Sequence, residues 1–291
     1  MSITLRSPTP ADADRVATLI FDAFASIHDR HSFPRDFPSL EMAQQLAAAW
    51  TSHPKVWGVL AEREGSVVGC NFLDQRNRVP GVGPICIDPA AQGSGVGKRL
   101  MQAVIEHGQK GGASSIRLVQ DAFNTVSLSL YTALGFDPIE PLALMQGKIA
   151  PASASSSGAT ARPMTESDFA ACADLCRRVH GFDRAGEFHD AIQQFGPFVL
   201  ERSGRIVAYA TAPTFWIMNH AVAETEQDLI DLLAGASAEN DQPISLLVPI
   251  RQASLFRWCL ARGLRMVKPM TLMALGDYQP PRGAWFPSVE Y

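Results

Sequence analysis

The chain of 291 residues is 46% hydrophobic and 19% charged, with a net charge of −4 and a pI near 6.0; its length favours two domains, and its composition is that of an ordinary globular protein. The acidic balance gives no electrostatic footprint for nucleic acid, no apolar run approaches the ~20 residues that cross a bilayer, and the N-terminus shows no secretory leader. We therefore expect a cytoplasmic protein without nucleic-acid or membrane partners.

Strand and helix patterns alternate along the front half. Helical apolar spacing marks the helices, and short β-rich runs bounded by turn residues mark the strands. The predicted elements are, in chain order, a strand over 2–7, a helix with Val16, Leu19, Ile20, Ala23, Phe24 and Ile27 on one face, a helix near 40–50, hairpin strands at about 55–63 and 66–74, a strand over 81–88, a glycine-rich loop with its helix, a strand over 115–121, a helix over 124–134 and strands near 136–148. This order predicts a mixed α/β domain.

The glycine-rich loop joins the strand over 81–88 to the helix that follows. Gly93, Gly95 and Gly97 lack side chains, so the backbone there turns tightly and exposes its N–H groups. The first N–H groups of the helix and the positive end of its dipole add to an anion site suited to a pyrophosphate. A P-loop would need other residues at Gln92 and Arg99, and a Rossmann fingerprint spaces its glycines differently, so both are excluded.

A second motif follows downstream, where a short predicted helix carries a tyrosine in its last turn and ends at a glycine. Its residues are Asn124, Ser127, Leu130, Tyr131, Gly135 and Phe136. The two motifs resemble the acetyl-CoA loop (Gln or Arg, then x-x-Gly-x-Gly or Ala) and the Asn-x-x-Ala-x-x-Leu-Tyr-x-x-x-Gly-Phe pattern of the GCN5-related N-acetyltransferase (GNAT) family. Ser127 is the one departure, and it is small like Ala. Because both motifs occur in the family's order and separation, the chain is identified as a member of it.

The resemblance implies a mixed α/β acyltransferase fold that uses acetyl-CoA as cosubstrate and no metal. The backbone of the strand before the loop would pair with the pantetheine amides and stabilise the oxyanion, and Tyr131 would protonate the departing thiolate. The acceptor amine would attack directly, with both substrates held together. The cofactor-binding residues implied by the resemblance are Ile85, Cys86, Ile87, Gln92, Gly93, Ser94, Gly95, Val96, Gly97, Lys98 and Asn124.

The sequence does not identify a general base. Asp74 and Asp121 lie near predicted strand ends, but exposed carboxylates there are mostly solvated, and a water chain would serve equally. Cys86 is discounted as an acyl-carrying nucleophile because the sequence places no histidine to activate it. The cysteines form no CxxC pattern, and Cys172 and Cys176 are spaced for one helix face, so we expect reduced thiols in the core.

The rear half of the chain repeats the front half. Three pairs of anchors recur in the same order, and one of them has the spacing of a capping box. The pairs are the hairpin segments 62–69 and 201–208, the helix starts Arg6, Thr9, Asp12 and Arg162, Thr165, Asp168, and the sets Gly135, Pro141, Leu144, Met145 and Gly263, Pro269, Leu272, Met273. The repeat predicts two tandem GNAT folds.

The second copy is degenerate. The interval from Glu62 to Gly135 is 73 positions, whereas that from Glu201 to Gly263 is 62. The second copy has therefore lost eleven residues across the stretch that should hold the glycine loop, no Gln-x-x-Gly-x-Gly remains there, and Cys259 stands opposite Tyr131. An unrecognised way of binding CoA is the alternative for this copy. The predicted organisation is a catalytic GNAT N-acetyltransferase domain over 1–149, a flexible linker over 150–161, a degenerate GNAT-like domain over 162–278 and an apolar tail over 279–291 that packs on a domain.

The segment 28–38 lies between the first two predicted helices. In the GNAT family the segment at this position overhangs the acceptor site. Its histidines, arginines and phenylalanines suit a pocket for a small polar or anionic amine, and equally a polar loop anchored by its phenylalanines. His28 and His31 are spaced for a metal, but we find no Asp or Cys that completes a set.

The predicted function is an N-acetyltransferase that transfers the acetyl group of acetyl-CoA to a primary amine of a small molecule. The alternative of another class is a non-catalytic acyl-CoA-binding or sensing protein, and a narrower rival is acetylation of a protein N-terminus or lysine. The second domain would serve as a scaffold, as the dimer surface of a homodimer, or as part of the acceptor cleft.

Overall fold

The computed structural model describes residues 3–150 and 158–291. The chain forms two compact units, the first unit being Met1–Leu118 with Phe123–Asp137 and the second unit Val119–Ala122 with Pro138–Tyr291. None of the helices within the described ranges is long and apolar enough to span a bilayer.

The first unit contains the elements predicted for the front half. They are β1 (Ile3–Arg6), α1 (Ala13–His31), α2 (Leu40–Ser52), β2 (Val56–Arg63), β3 (Ser66–Asp74), β4 (Gly81–Val82), β5 (Cys86–Ile87), α3 (Val96–Lys110), β6 (Ser115–Asp121), whose end belongs to the second unit, and α4 (Thr125–Ala133). The strands run in the order β1-β2-β3-β4-β6, and β5 pairs with β3. The hairpin β2–β3 and the amphipathic face of α1, on which Val16, Leu19 and Ile20 are fully buried, confirm the sequence-based expectation.

The strand predicted over 81–88 is two short strands. β4 pairs with β3 in the register Leu73↔Val82, and β5 continues in the register Cys70↔Cys86, shifted by one residue. Pro84 supplies no N–H to a neighbouring strand, which ends regular pairing at this point. Trp50 of α2 fixes the bend, because its Nε1 donates to the Gly83 carbonyl at 3.1 Å. Ile85, predicted as a strand residue, therefore lies in the bend rather than in a strand.

The described part of the second unit contains twelve further α-helices and strands, the first of which begins at Asp137 of the first unit. They are β7 (Asp137–Gly147), β8 (Ala159–Pro163), α5 (Phe169–His180), α6 (Phe188–Gln194), β9 (Phe198–Arg202), β10 (Arg205–Ala210), β11 (Ala221–Ala223), α7 (Glu226–Ala238), β12 (Ile244–Pro249), α8 (Ala253–Ala261), β13 (Arg265–Gly276) and β14 (Ala284–Phe286). One sheet has the order β14-β11-β10-β9-β8, and elsewhere β7 lies between β13 and β12. β7 is one long strand where the sequence suggested several near 136–148, since its neighbours come from distant segments rather than from a hairpin of its own.

The predicted linker and tail differ from the structure at their edges. β8 starts at Ala159 and pairs with β9, so residues 159–161 belong to a strand because the ladder to β9 satisfies their backbone groups. Of the predicted linker, residues 151–157 lie outside the described residues. The tail forms β14, in which Trp285 and Phe286 are buried.

The cysteines are packing residues. All five are buried free thiols. Burial raises the pKa of Cys172 and Cys259 to about 12, and that of Cys176 to about 11. Thiols with such pKa values are inert at neutral pH.

The repeated helix starts confirm the internal duplication. Arg6 donates to both carboxylate oxygens of Asp12 at 2.9 and 2.7 Å, and Arg162 does the same to Asp168 at 2.8 Å on each side. Thr9 and Thr165 form capping boxes with these aspartates. The Arg162 guanidinium, with help from the Thr165 N–H, lowers the pKa of Asp168 from 3.8 to about 2 against the opposing effect of burial.

Replacement of Asp168 tests this pairing. Because its pKa is lower in the folded chain, Asp168 stabilises the fold above pH 3.8, and this contribution is lost as the pH falls towards 2. We expect Asp168→Asn to lower the free energy of unfolding at pH 7 by about 1–2 kcal/mol, a figure reduced from the full shift because Arg162 is partly exposed. Urea unfolding at pH 7 and pH 2.5 measures it, with the exposed Asp241→Asn as control. Equal losses in both variants would contradict the pairing.

Candidate functional site

The glycine loop begins at an anchored aspartate. Asp88 Oδ1 accepts from the Ala90 N–H at 3.0 Å, and Asp88 Oδ2 accepts from Arg15 Nη2 at 2.9 Å. Arg15 also donates to the Val67 carbonyl. The Ala90 N–H and the Arg15 guanidinium hold the pKa of Asp88 below its ordinary value, so the end of β5 stays tied to α1 and β3 at neutral pH.

The loop itself is an exposed turn that requires glycine twice. Gly93 has φ +77° and Gly95 φ +83°, in the left-handed region that costs other residues free energy. A Cβ at either position would meet no atom within 4 Å, so the space in front of the loop is open. Ser94 stabilises the turn by donating its hydroxyl to the Ala91 carbonyl at 2.5 Å, and Gln92 lies exposed at its entrance.

The N-terminus of α3 is open to a ligand. Gly95 occupies the N-cap, and in the described part of the chain no side chain caps this end. The Arg99 N–H makes the first helical hydrogen bond, to the Gly95 carbonyl at 3.3 Å, so the N–H groups of the three residues before it are not used by the helix. Exposed Lys98 adds a positive charge beside them. Backbone donors, dipole and ammonium together favour an anion.

The third glycine of the loop serves close packing. Gly97 is buried in the first turn of α3, where an added Cβ would lie 2.8 Å from Ile87 Cδ1 and 3.4 Å from Leu130 Cδ2. The glycine thus brings α3 against both β5 and α4. Through this contact the two sequence motifs, separate in the chain, lie together in the first unit.

α4 carries the remaining predicted residues. Asn124 is its N-cap, and its Oδ1 accepts from the Ser127 N–H at 3.2 Å, so half of its carboxamide is used in capping. Tyr131 lies in the last turn, one residue after Leu130, with its side chain 5% exposed and its ring 6.3 Å from that of Phe136. A Tyr in this place is shielded from bulk water, and the preceding Leu130 faces Gly97 of α3.

β5 offers an edge of main-chain groups. Cys86 and Ile87 pair with β3, and among the residues that the structure describes no other strand pairs with β5. The Cys86 side chain is buried, and burial, together with a contact to Cys70, raises the pKa of its thiol well above its usual range. Cys86 therefore contributes its backbone, and its thiol is unsuited to nucleophilic attack at neutral pH.

The segment 28–38 folds onto an aromatic residue that the sequence analysis did not single out. Phe33 stacks on Phe123 with ring centroids 4.2 Å apart, and His31 lies 5.3 Å from the same ring. Phe123 immediately precedes the N-cap of α4, so the segment reaches the end of the helix that carries Tyr131. The buried His28 Nε2 lies 3.4 Å from Asp36 Oδ1, a pairing that the sequence analysis had not recognised.

The sequence also missed Arg15 and Trp50. Both act on residues far along the chain, Asp88 and Gly83, so no local spacing reveals them. Only the residue types could have pointed to these contacts, because the side-chain N–H groups of an arginine or a tryptophan on an amphipathic helix usually find an acceptor.

The corresponding helix start in the second unit is closed. Thr225 caps α7 by accepting from the Asp228 N–H at 3.1 Å, and Glu226 and Asp228 place two carboxylates in the first turn. Arg202 pairs with Asp228 at 2.6 Å. The start of α7 therefore has a side-chain cap that α3 lacks, and its acidic residues oppose an anion.

The comparison with known families agrees with these features. The profile of the acetyltransferase (GNAT) family matches residues 22–136, which contain β5, the loop, α3 and α4. The likeness to this family therefore covers the part of the chain that holds the loop and α4. A mycothiol acetyltransferase of Sanguibacter keddieii is 31% identical over 142 residues, which cover 46% of this chain and 43% of that protein. The chain spans less than half the length of the curated relatives it matches.

Solved structures extend the likeness to both units. A GCN5-related N-acetyltransferase from Sphaerobacter thermophilus superimposes with a TM-score of 0.66 at 19% identity, covering 96% of each chain. A tandem GNAT protein from the clavulanic acid biosynthesis pathway gives a TM-score of 0.60 at 11% identity, covering 94% of this chain and 98% of that one. At such identities the likeness establishes the fold, which is the tandem GNAT fold that the sequence predicted.

Packing at Gly97 is open to a direct test. We expect Gly97→Val to lower the free energy of unfolding by about 1–3 kcal/mol, because the new methyl groups overlap Ile87. Lys98→Val, on the exposed neighbouring position, introduces the same β-branched residue without the overlap and is the matched control. Thermal unfolding of both variants measures the difference. Equal stability of the two would show that α3 does not pack as described.

Proposed function

We propose that the first unit is an acetyl-CoA-dependent N-acetyltransferase that transfers an acetyl group to a primary amine of a small molecule. The observation that carries the proposal is the open N-terminus of α3 behind a loop with two left-handed glycines. A helix start whose N–H groups lack acceptors fits a diphosphate, and the match of residues 22–136 to the GNAT family supports CoA as the molecule that supplies it.

The cofactor-binding residues divide into two groups. The loop and the first turn of α3 would hold the diphosphate through the N–H groups of Gly93, Gly95, Gly97 and their neighbours, with Lys98 as a charge partner. The free edge of β5 would pair with the amides of pantetheine, and a backbone N–H there would donate to the acetyl oxygen as negative charge develops on it. Asn124, through the amide nitrogen that capping leaves over, would donate to the same arm.

Tyr131 would hold the proton that the departing sulfur needs. Its place in the last turn of α4, next to the Leu130 that faces Gly97, and its low exposure support this role, because a shielded hydroxyl transfers a proton more effectively than one competing with bulk water. Acetyl-CoA supplies the activated thioester, and the chain positions the amine beside it.

The acceptor would enter beside the segment 28–38. Stacking of Phe33 on Phe123 and the exposed Arg30 give this region an apolar wall with a cation at its margin, which suits a small polar or anionic amine. The name of the curated relatives, mycothiol acetyltransferase, supports a small-molecule acceptor over a protein. The competing function, acyl-CoA binding without catalysis, would use the same loop but would not need Tyr131.

Binding of CoA by the loop has a matched control within the chain. Gly95 and Gly112 lie at opposite ends of α3, both have positive φ, and a Cβ on either would meet open space. Replacement by Ala therefore imposes similar backbone strain at both, but only Gly95→Ala disturbs the N–H groups that face the ligand. We expect its CoA affinity to fall about tenfold or more, with Gly112→Ala unchanged, by isothermal titration calorimetry. Equal affinities in both variants would argue against the loop as the CoA site.

Catalysis by Tyr131 separates the two candidate functions. We expect Tyr131→Phe to lower kcat by about 10²–10⁴ while CoA affinity stays within error, because the ring and its packing remain. Release of free thiol from acetyl-CoA in the presence of a panel of amines measures the rate. Tight CoA binding with no amine-dependent thiol release in the unmodified chain would support the sensing function instead.

A further inference from the structure

The C-terminal segment 283–291 is a buried strand-like segment of the second unit. Its side chains are largely withdrawn from solvent, with Trp285 6%, Phe286 1% and Tyr291 2% exposed. β14 pairs with β11 in the register Ala221↔Phe286, Val222↔Trp285 and Ala223↔Ala284. The tail is therefore an integral part of this sheet, added at the edge of β11.

The internal repeat shows what that edge is. The anchors 62–69 and 201–208 align Gly69 with Ala208, and these residues pair in their own units with Ile87 of β5 and Ala223 of β11. β11 is thus the counterpart of β5. In the first unit the second edge of β5 has no strand partner within the described residues, whereas in the second unit the same edge is covered by β14.

A side chain at the matching helix start holds the tail as well. Gln252 is the N-cap of α8, as Asn124 is of α4; both helices have nine residues, and the anchors Gly135 and Gly263 place the two caps opposite each other. The Gln252 carboxamide hydrogen-bonds to both backbone groups of one tail residue, Trp285. Its Nε2 donates to the Trp285 carbonyl, and its Oε1 accepts from the Trp285 N–H at 3.0 Å.

Further contacts fix the segment on either side of β14. Gly283 lies so close to β11 that a Cβ there would be 2.6 Å from the Ala223 carbonyl oxygen. Beyond β14, Arg184 Nη2 donates to Ser288 Oγ at 2.9 Å, and the Val289 N–H donates to the Ile217 carbonyl at 2.9 Å. The site therefore recognises an extended chain by its backbone amides, and requires glycine where the chain enters.

We propose that the edge of β11 with Gln252 is a binding site for an extended polyamide segment, and that residues 283–291 of this chain are its resident ligand. The edge of β11 that β14 occupies corresponds to the edge of β5 on which pantetheine would lie in the first unit. This part of the proposal rests on the proposed function. Because Thr225 and Asp228 also close the helix start at α7, the second unit binds its own tail in place of a nucleotide cofactor.

Cleavage of the tail in the folded chain tests the proposal. A protease recognition sequence is inserted between Gln279 and Pro280, which are both exposed, and the intact protein is cut under native conditions. We expect the released peptide to co-elute with the protein on gel filtration and to exchange with a fluorescent synthetic peptide of residues 280–291. Immediate loss of the cut peptide from the protein would overturn the proposal.

Variants on either side of the site make the test specific. In the protein, Gln252→Ala removes both hydrogen bonds to Trp285, and we expect the labelled peptide to dissociate about tenfold faster; dissociation at the unaltered rate would overturn the proposal. In the ligand, a synthetic peptide with Gly283→Val should compete at least about tenfold less well. This second variant leaves the protein unchanged, so its result does not depend on whether Gln252→Ala folds.

Measurements of CoA affinity show whether a failure concerns this proposal or the proposed function of the first unit. CoA affinity of the uncut chain and of Asn124→Ala is measured in parallel by calorimetry. If the chain does not bind CoA, the proposed function of the first unit fails. If Asn124→Ala binds CoA normally, the role of Asn124 fails. In both cases the retention of the tail is judged from the peptide experiments. If CoA binds as expected but the tail is not retained, only the present proposal fails.

Discussion

The proposed function depends on one helix end, the N-terminus of α3, which no side chain among the described residues caps. Gly93 and Gly95 in left-handed conformations lead the chain into α3 without a capping side chain, and the described residues around them leave the space in front open. Unsatisfied donors at a helix start are costly unless water or a ligand accepts from them. The same arrangement that costs stability is therefore what makes the site able to hold an anion.

The surrounding structure holds this helix end in place. Gly97 lets α3 approach β5 and α4, Arg15 ties Asp88 to α1 and β3, and Trp50 fixes the bend at Gly83 from which β5 departs. Each contact joins the loop to a different element, so the position of the N–H groups is determined by the whole first unit. This explains why a short sequence motif serves as a site only within its fold.

The second unit shows the same fold with its ligand positions filled from within. Thr225 and Asp228 occupy the helix start, and β14 occupies the strand edge. The duplication is retained most clearly in elements that stabilise the fold, such as the Arg6–Asp12 and Arg162–Asp168 pairs. One copy leaves its helix start without a side-chain cap, and the other caps it with Thr225.

Local patterns predicted most of the elements and the loop, because helical spacing, glycine positions and the hairpin turn are properties of neighbouring residues. The internal repeat predicted the tandem fold because it compares two segments of the sequence with each other and needs no knowledge of their contacts. The break at Pro84, the reach of Arg15 to Asp88 and the stacking of Phe33 on Phe123 depend on partners distant in the chain, and no local pattern encodes them. The placement of the tail was partly foreseen from its apolar composition, but its register on β11 depends on an edge that only the folded sheet provides.

Hydrogen–deuterium exchange with and without CoA tests the central claim most directly, because it reports on the backbone donors themselves. We predict that CoA slows exchange of the amides of residues 92–98 and of Cys86 and Ile87, and leaves those of residues 225–229 unchanged. Absence of slowing at residues 92–98, or slowing at residues 225–229 instead, would contradict the account.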